Sequence, residues 1–227
     1  MTFVRGSQKR ENRKEVISDE EMDELLRRAE QHTHPFFRLR NKALLCLLRM
    51  VGKRRSEIAA VELDDVKIEG DGLFVTFTLR KKRKRQVLTT RRTKQLRPLD
   101  SKYVKPIVEY YNFISSLNPR PKYLFPRCWW SPAFAWNGIF KIDGDKHISG
   151  RQVFNIVRQV SDSVWPHLFR ETVAANVVRS DPSIIGVFKV QRRLDLEDYR
   201  TGFNYLRRYA ADVISAEETQ VDVVGSE

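Results

Sequence analysis

The chain has 227 residues, of which 41% are hydrophobic and 11% aromatic; this is enough apolar material for one substantial core and excludes a compositionally disordered protein. Lys and Arg number 42 against 29 Asp and Glu, giving a net charge of +13 and a pI near 9.9, which favours a polyanionic partner such as nucleic acid. No apolar run approaches the roughly 20 residues that span a bilayer, and the charged N-terminus does not resemble a secretory signal, so we expect a soluble, cytoplasmic protein without membrane contact.

Two terminal segments lack the apolar periodicity of a folded core. Residues 1–17 are charged and are predicted to form a flexible arm, and residues 216–227 are predicted to form an acidic tail. Ser18 and Glu21 have the spacing of a helix capping box, so the folded domain is predicted to cover residues 18–215. Apolar residues at helical spacing predict helices over residues 22–29, 37–51, 56–63, 102–117, 149–160, 167–179, 184–193 and 199–214.

A change in residue pattern, from helical spacing to a run typical of a strand, predicts one small sheet. Residues 73–79 are rich in β-branched and aromatic side chains and predict a strand, which runs directly into the basic residues 80–85. A second strand within residues 86–99 would complete a basic hairpin. Residues 119–148 contain several prolines and three of the four tryptophans, and are predicted to be irregular. The predicted fold class is therefore mainly α with a small antiparallel β-sheet (α+β).

Three short segments carry side chains suited to the chemistry of a phosphodiester. Arginine suits such a group because its planar fork donates two parallel hydrogen bonds and stays charged, so Arg54 and Arg170 could hold both non-bridging oxygens. His167 precedes Arg170 by three residues, and a helix would place both on one face. A tyrosine hydroxyl can attack the phosphorus, and a hairpin lysine can protonate the leaving 5′ oxygen. These groups supply positive charge without a metal ion. The segments are GKRRSEI (52–58), PHLFRET (166–172) and TGFNY (201–205).

Together these segments resemble the sequence boxes of the tyrosine recombinase family, the lambda-integrase type. The boxes are R-x-S-E after a glycine turn, H-x-x-R-x-T on a later helix and T-x-x-x-Y near the C-terminus, with a lysine-bearing hairpin between the first two. The resemblance covers roughly residues 18–212 and implies the catalytic-domain fold of that family. It also implies cleavage and rejoining of double-stranded DNA through a 3′-phosphotyrosyl intermediate, by a homotetramer on DNA that needs no cofactor and no metal.

The resemblance assigns roles to particular residues, with some alternatives left open. Arg54 matches the first catalytic arginine, with Arg55 as its neighbouring alternative, and Tyr205 matches the nucleophile, with Tyr199 and Tyr209 as rivals. Lys82 is the expected general acid, with Lys81 and Lys84 as rivals. The full catalytic set is Arg54, Lys82, His167, Arg170 and Tyr205, and the expected DNA contacts are Arg80, Lys81, Arg83, Lys84 and Arg85.

The sequence departs from the family pattern at several points. Glu171 stands where the family often has a second histidine, directly after the second arginine. The family also has a histidine or tryptophan, usually within L-G-H, nine residues before the nucleophile. Alignment puts residues 194–196 (LDL) over that motif, so Leu196 occupies the position, unless the alignment slips to Gln191 or Arg193. The family's N-terminal DNA-clamping domain has no counterpart in residues 1–17, so the chain is expected to be a fragment or a minimal member.

Two other functions use the same fold. One is a catalytically degenerate DNA-binding protein, which the apolar Leu196 favours. The other is an enzyme similar to type IB topoisomerases, which uses the same residues without strand exchange. A covalent adduct with DNA would separate the first from any enzyme, and exchange between two duplexes would separate a recombinase from a topoisomerase.

Overall fold

The computed structural model describes residues 16–83, 86–131 and 139–210, which form helices and two small antiparallel sheets. The helices are α1 (Asp19–Glu30), α2 (Pro35–Val51), α3 (Arg55–Ala59), α4 (Lys105–Ser115), α5 (Gly150–Val160), α6 (Pro166–Ser180), α7 (Ile184–Leu194) and α8 (Tyr199–Tyr209). The strands are β1 (Val66–Glu69), β2 (Gly72–Arg83), β3 (Gln86–Leu96), β4 (Pro126–Ser131) and β5 (Ile139–His147).

The ends of the first two helices follow from their terminal residues. Ser18 accepts a hydrogen bond from the backbone of Glu21, and the Glu21 carboxylate accepts one from the backbone of Ser18, so the predicted capping box is present. Pro35 opens α2, where a missing backbone N–H costs nothing. Gly52 ends the same helix with a φ of 59°, a left-handed conformation that glycine adopts without strain.

The predicted basic hairpin is present as β2 and β3. The two strands pair antiparallel from Leu73 opposite Leu96 to Arg83 opposite Gln86. Alternate side chains of β2 are buried against the helices, which is the period-two pattern that predicted the strand. The prediction missed β1, a four-residue edge strand that pairs with β2, and it extended the third helix past Ala59, where the structure has a turn.

The prediction that residues 119–148 are irregular was wrong. Strands β4 and β5 form a second antiparallel hairpin there, with a register shift between Pro126 and Arg127. The register shift interrupts the alternation that would reveal a strand, and the proline stands at the first residue of β4, where it breaks no interior hydrogen bond. Gly144 of β5 approaches the backbone of Pro121 closely, since an added Cβ would lie 3.2 Å from its Cα.

Helix α2 forms the centre of the core. Its side chains from Ala43 to Leu48 are fully buried, and the helix packs against α1, α4 and α6. A smaller apolar cluster joins α6, α7 and α8 and contains Tyr205 and Tyr209. Helix α6 contributes to both clusters, so it connects the central core to the C-terminal helices. No helix within the described residues is long and apolar enough to cross a membrane.

Candidate active site

A cavity of about 710 Å³ lies where the start of α3, the start of α6 and the N-terminal half of α8 meet. Each of these elements contributes residues of one predicted sequence box. Four of the five predicted catalytic residues line the cavity: Arg54, His167, Arg170 and Tyr205. The structure therefore brings together three segments that are distant from one another in the chain.

Arg170 lies at the back of the cavity and is only 4% exposed. Its guanidinium donates to the carbonyl of Gly52 at 2.8 Å and to the carbonyl of Leu194 at 2.7 Å. The Tyr205 side chain lines the same cavity. Burial, and next the nearby charge of Arg54, lower the pKa of Arg170 below its usual value. Arginine has five N–H donors, so after these contacts at least one remains to meet an anion in the cavity.

Arg54 stands at the start of α3 and is held by the glutamate of its own box. The Glu57 carboxylate accepts hydrogen bonds from the Arg54 backbone at 2.9 Å and from its guanidinium at 2.8 Å. Half of the Arg54 side chain remains exposed to the cavity. The alternative, Arg55, also lines the cavity, and its guanidinium lies 5.9 Å from the centre of the Phe154 ring.

Among the tyrosines that the structure describes, Tyr205 lines the cavity. It is 8% exposed, and burial, followed by the charge of Glu171, raises its pKa, whereas the charge of Arg170 acts in the opposite direction. Its rivals lie elsewhere: Tyr209 is fully buried and donates its hydroxyl to Glu171 at 2.9 Å, and Tyr199 is 53% exposed outside the cavity lining. The hydroxyl at position 205 therefore remains protonated near neutral pH unless a base removes its proton.

Glu171 connects α6 to α8 beside the cavity. Its carboxylate lies 3.0 Å from Nε2 of His167, one helical turn earlier, and accepts the hydroxyl of Tyr209. Arg208 also lies within 3.4 Å of it. Burial alone would raise the pKa of Glu171, but the hydrogen bonds from His167 and Tyr209 outweigh it and the net pKa is lowered. The glutamate therefore fixes the orientation of the His167 ring, leaving Nδ1 available to a ligand.

Leu196 lines the cavity at the position that the alignment with L-G-H gave it. Asp195, over the glycine of that motif, has a φ of 50°, a left-handed conformation that glycine and aspartate tolerate best. The alternative positions do not contribute to the cavity lining, and Arg193 instead donates to the carbonyl of Met50 at 2.7 Å. An apolar wall thus stands where the resemblance implied a hydrogen-bond donor.

Sequence reasoning missed a buried ion pair beneath the cavity. Lys53, directly before Arg54, has a fully buried side chain and forms a salt bridge with Asp195. Lys94 of β3 lies 3.5 Å from the same carboxylate. Burial, and next the charge of Lys94, lower the pKa of Lys53 to about 7. In the sequence Lys53 is one of several cations in a basic turn. The one feature that could have indicated the ion pair is Asp195, which stands where the family motif has a glycine.

The structure describes the backbone position of some of the predicted hairpin residues. Lys82 lies in β2 opposite Val87, and Lys81 lies opposite Leu88. Arg80 and Arg83 also belong to β2, whereas Lys84 and Arg85 lie outside the described residues. The choice of general acid and the DNA contacts of this run remain predictions. Farther along the hairpin, Arg91, Arg92 and Lys94 line a basic groove of about 660 Å³ together with Arg192 of α7.

Metal binding was not expected from the sequence. Among residues 16–83, 86–131 and 139–210, no group of three or more His, Cys, Asp and Glu side chains is arranged to hold a metal ion.

Comparison with solved structures finds a similar fold in site-specific recombinases. The XerH site-specific recombinase bound to difH substrate in a pre-cleavage complex matches with a TM-score of 0.57 and 15% identity, over 85% of this chain and 50% of that one. The XerA recombinase matches with a TM-score of 0.55 and 17% identity, over 86% and 59%. The XerH post-cleavage complex with palindromic difH matches with a TM-score of 0.58 and 16% identity, over 89% and 52%. The chain thus spans little more than half the length of these relatives.

The family model described as the phage integrase family matches residues 15–216. The chain therefore belongs to the phage integrase family, that of the tyrosine recombinases, and the predicted family and fold class are confirmed. None of the curated proteins compared with the sequence matches it significantly.

Proposed function

We propose that this chain cleaves and rejoins double-stranded DNA as a site-specific recombinase, through a covalent 3′-phosphotyrosyl intermediate. The observation that carries the proposal is that Tyr205 and Arg170 line the wall of one cavity together with Arg54 and His167. A nucleophile, two fixed cations and a titratable imidazole around one open space are the groups that attack on a phosphodiester requires.

In the proposed cleavage step, Oη of Tyr205 attacks the phosphorus and the bond between phosphorus and the 5′ oxygen breaks. The proton of the tyrosine passes to a base, for which the cavity offers His167, and the leaving 5′ oxygen takes a proton from a lysine of the hairpin, with Lys82 as the candidate. One phosphoester bond forms as one breaks, so no energy source is consumed. Attack by the 5′ hydroxyl of a partner strand on the phosphotyrosine reverses the step and completes the exchange.

The two arginines differ in burial and would therefore bind the phosphate in different ways. Arg170 is fixed by two backbone carbonyls and lines the same cavity as the nucleophile, so it would hold one non-bridging oxygen beside Tyr205 with little reorganisation. Arg54 is half-exposed and would close on the other oxygen as the strand enters. Glu171 would hold His167 in one orientation, and its negative charge would stabilise the imidazolium that forms when the ring accepts a proton.

Double-stranded DNA as the partner is supported by the charge of the chain and by its relatives. The net charge is +13, and a basic groove runs along the described part of the hairpin. The XerH structures are complexes with a difH substrate. Exchange between two duplexes requires cleavage of four strands, so we propose that four copies assemble on DNA, each contributing one tyrosine.

Covalent capture on DNA tests the proposal without knowledge of the target site. The protein is incubated, with EDTA present, with a random library of nicked duplexes in which cleavage releases a short fragment and traps the adduct. We expect a denaturant-resistant adduct with the wild-type protein and with Tyr199→Phe and Tyr209→Phe, and none with Tyr205→Phe. Sequencing the trapped DNA then yields the target site.

A second arm of the experiment tests the general acid. A substrate whose scissile 5′ oxygen is replaced by sulfur has a leaving group that needs no proton. We expect Lys82→Ala to lose cleavage of the oxygen substrate and to recover it with sulfur, whereas Lys81→Ala stays active on both. An adduct that persists in Tyr205→Phe would overturn the nucleophile. DNA binding without any adduct would favour the degenerate binding protein, and relaxation of supercoiled DNA without exchange would favour the topoisomerase alternative.

A further inference from the structure

Two turns of the chain meet directly beneath the cavity. The first comprises residues 52–54, between α2 and α3, and ends in Arg54. The second comprises residues 195–198, between α7 and α8; it includes Leu196 on the cavity wall and ends in Asp198, which caps the helix that carries Tyr205 by accepting from the backbone of Arg200 at 2.8 Å. The distance between these turns therefore sets the distance between the proposed phosphate-binding arginine and the proposed nucleophile.

Adjacent contacts hold the two turns together. Arg170 bridges them by donating to the carbonyls of Gly52 and Leu194, the residues that immediately precede Lys53 and Asp195. The Lys53–Asp195 ion pair forms the next link in the same direction. Close packing forms a further link, since a Cβ added at Gly52 would lie only 2.8 Å from the Leu194 side chain.

The ion pair is unusual in its burial. The Lys53 side chain is 0% exposed and the Asp195 side chain 10% exposed, and the Lys53 ammonium also lies 5.3 Å from the centre of the Phe77 ring. Removing two charges from water is costly, and a buried pair persists only when each charge retains its partner. Loss of Asp195 would leave the buried Lys53 ammonium without its partner, and loss of Lys53 would leave the carboxylate with Lys94 alone, 3.5 Å away. Water entry or separation of the turns would relieve either imbalance.

We propose that the Lys53–Asp195 pair is a positioning device that couples the α2–α3 turn to the α7–α8 turn and so fixes Arg54 relative to Tyr205. Neither residue is proposed to touch DNA. The proposal rests on the proposed function for its consequence in catalysis, whereas the coupling of the two turns stands independently of it.

The test compares Lys53→Met, Asp195→Asn and the double variant with the wild-type protein. Methionine keeps the length of the lysine stem, and asparagine keeps the shape of the carboxylate and tolerates the left-handed backbone. Single-turnover cleavage at saturating DNA and the dissociation constant for DNA are measured well below each melting temperature. We expect each single variant to cleave about 10- to 100-fold more slowly with DNA affinity within about threefold. The double variant should recover part of the loss, because it removes both members of the pair and leaves Lys94 as the remaining charge beside them.

A core substitution far from the two turns provides the matched control. Ile114 is fully buried in α4, near the opposite end of α2, where the rings of Phe36 and Phe113 meet. Ile114→Ala should lower the melting temperature and leave the cleavage rate of the folded protein unchanged. If Lys53→Met and Asp195→Asn behave like Ile114→Ala, losing stability while cleaving at the wild-type rate, the pair is only structural and the positioning proposal is overturned.

Hydrogen exchange separates failure of this proposal from failure of the proposed function. We expect Lys53→Met to speed amide exchange across the gap, in residues 195–198, and Asp195→Asn to speed it in residues 52–57. Faster exchange confined to the substituted turn would overturn the coupling, whatever the activity. If the wild-type protein forms no adduct but exchange rises across the gap, the coupling stands and the recombinase function fails.

Discussion

Arg170→Lys separates the charge of the buried arginine from its shape. The substitution keeps a cation in the cavity but replaces a planar fork with a single ammonium. That ammonium cannot reach the carbonyls of Gly52 and Leu194 together while remaining near Tyr205. At least one buried carbonyl therefore loses its donor.

The cost of Arg170→Lys follows from that lost donor. A buried unsatisfied acceptor costs about 1–3 kcal/mol of unfolding free energy. In a domain of this size each kcal/mol lowers the melting temperature by about 2–4 °C, so we expect a fall of about 2–12 °C. The proposed hydrogen bond from the guanidinium to the phosphate is also lost, and removal of one preorganised donor typically slows a reaction about 100- to 1,000-fold.

Thermal unfolding and single-turnover cleavage measure the two effects separately. Arg179→Lys is the matched control, because Arg179 is exposed in the last turn of the same helix, and we expect it to change unfolding free energy by less than about 0.5 kcal/mol. If Arg170→Lys unfolds at the wild-type temperature, the two carbonyl contacts do not hold the turns together. If it cleaves at the wild-type rate, the fork does not bind the scissile phosphate.

Two further substitutions test the surroundings of the cavity. The lowered pKa of Glu171 means that its carboxylate stabilises the fold above its ordinary pKa of 4.5 and that this contribution is lost as the pH falls through the lower folded value. The wild-type protein should therefore exceed Glu171→Gln in unfolding free energy at pH 7 and lose that advantage progressively as the pH falls below 4.5 and through the lower folded value. Denaturant unfolding over this pH range measures the difference, and an unchanged difference would contradict the reasoning. Gly52 and Gly70 share a φ near 58°, but a Cβ meets Leu194 at 2.8 Å in the first case and nothing within 4 Å in the second. Gly52→Ala should therefore destabilise the fold by about 1–3 kcal/mol more than Gly70→Ala, and equal losses would exclude the steric argument.

Local patterns in the sequence predicted much of the fold and most of the cavity. Capping, helical spacing and strand alternation are short-range signals, and they gave the helices and the basic hairpin. The hairpin of β4 and β5 was missed because its register shift and prolines obscure the alternation that would have identified it. Position within a motif can also mislead: Thr172, within H-x-x-R-x-T, is buried and accepts the backbone N–H of Ile17 at 2.9 Å, so it joins α6 to the start of α1.

The sequence alone could not predict which residues from distant parts of the chain are buried together. Lys53 is one of five consecutive polar residues after Gly52, and nothing near it in the chain indicates a fully buried ammonium. Its partner, Asp195, is contributed by a turn more than 100 residues later, and their contact depends on how α6 and α7 pack. Such pairs arise from tertiary structure alone, since a lysine is rarely buried unless an opposite charge meets it.

The apolar wall at Leu196 changes how the proposed site would stabilise charge. A histidine or tryptophan there would donate one hydrogen bond to the phosphate, and loss of such a donor slows catalysis about 100- to 1,000-fold. An apolar side chain there would lower the local dielectric beside a bound strand, which would strengthen the attraction between the phosphate and Arg54 and Arg170. Burial raises the pKa of Tyr205, which increases the need for a base. In the proposed mechanism His167 is that base, and the charge of the Glu171 carboxylate beside it would stabilise the imidazolium and so compensate in part for the missing donor.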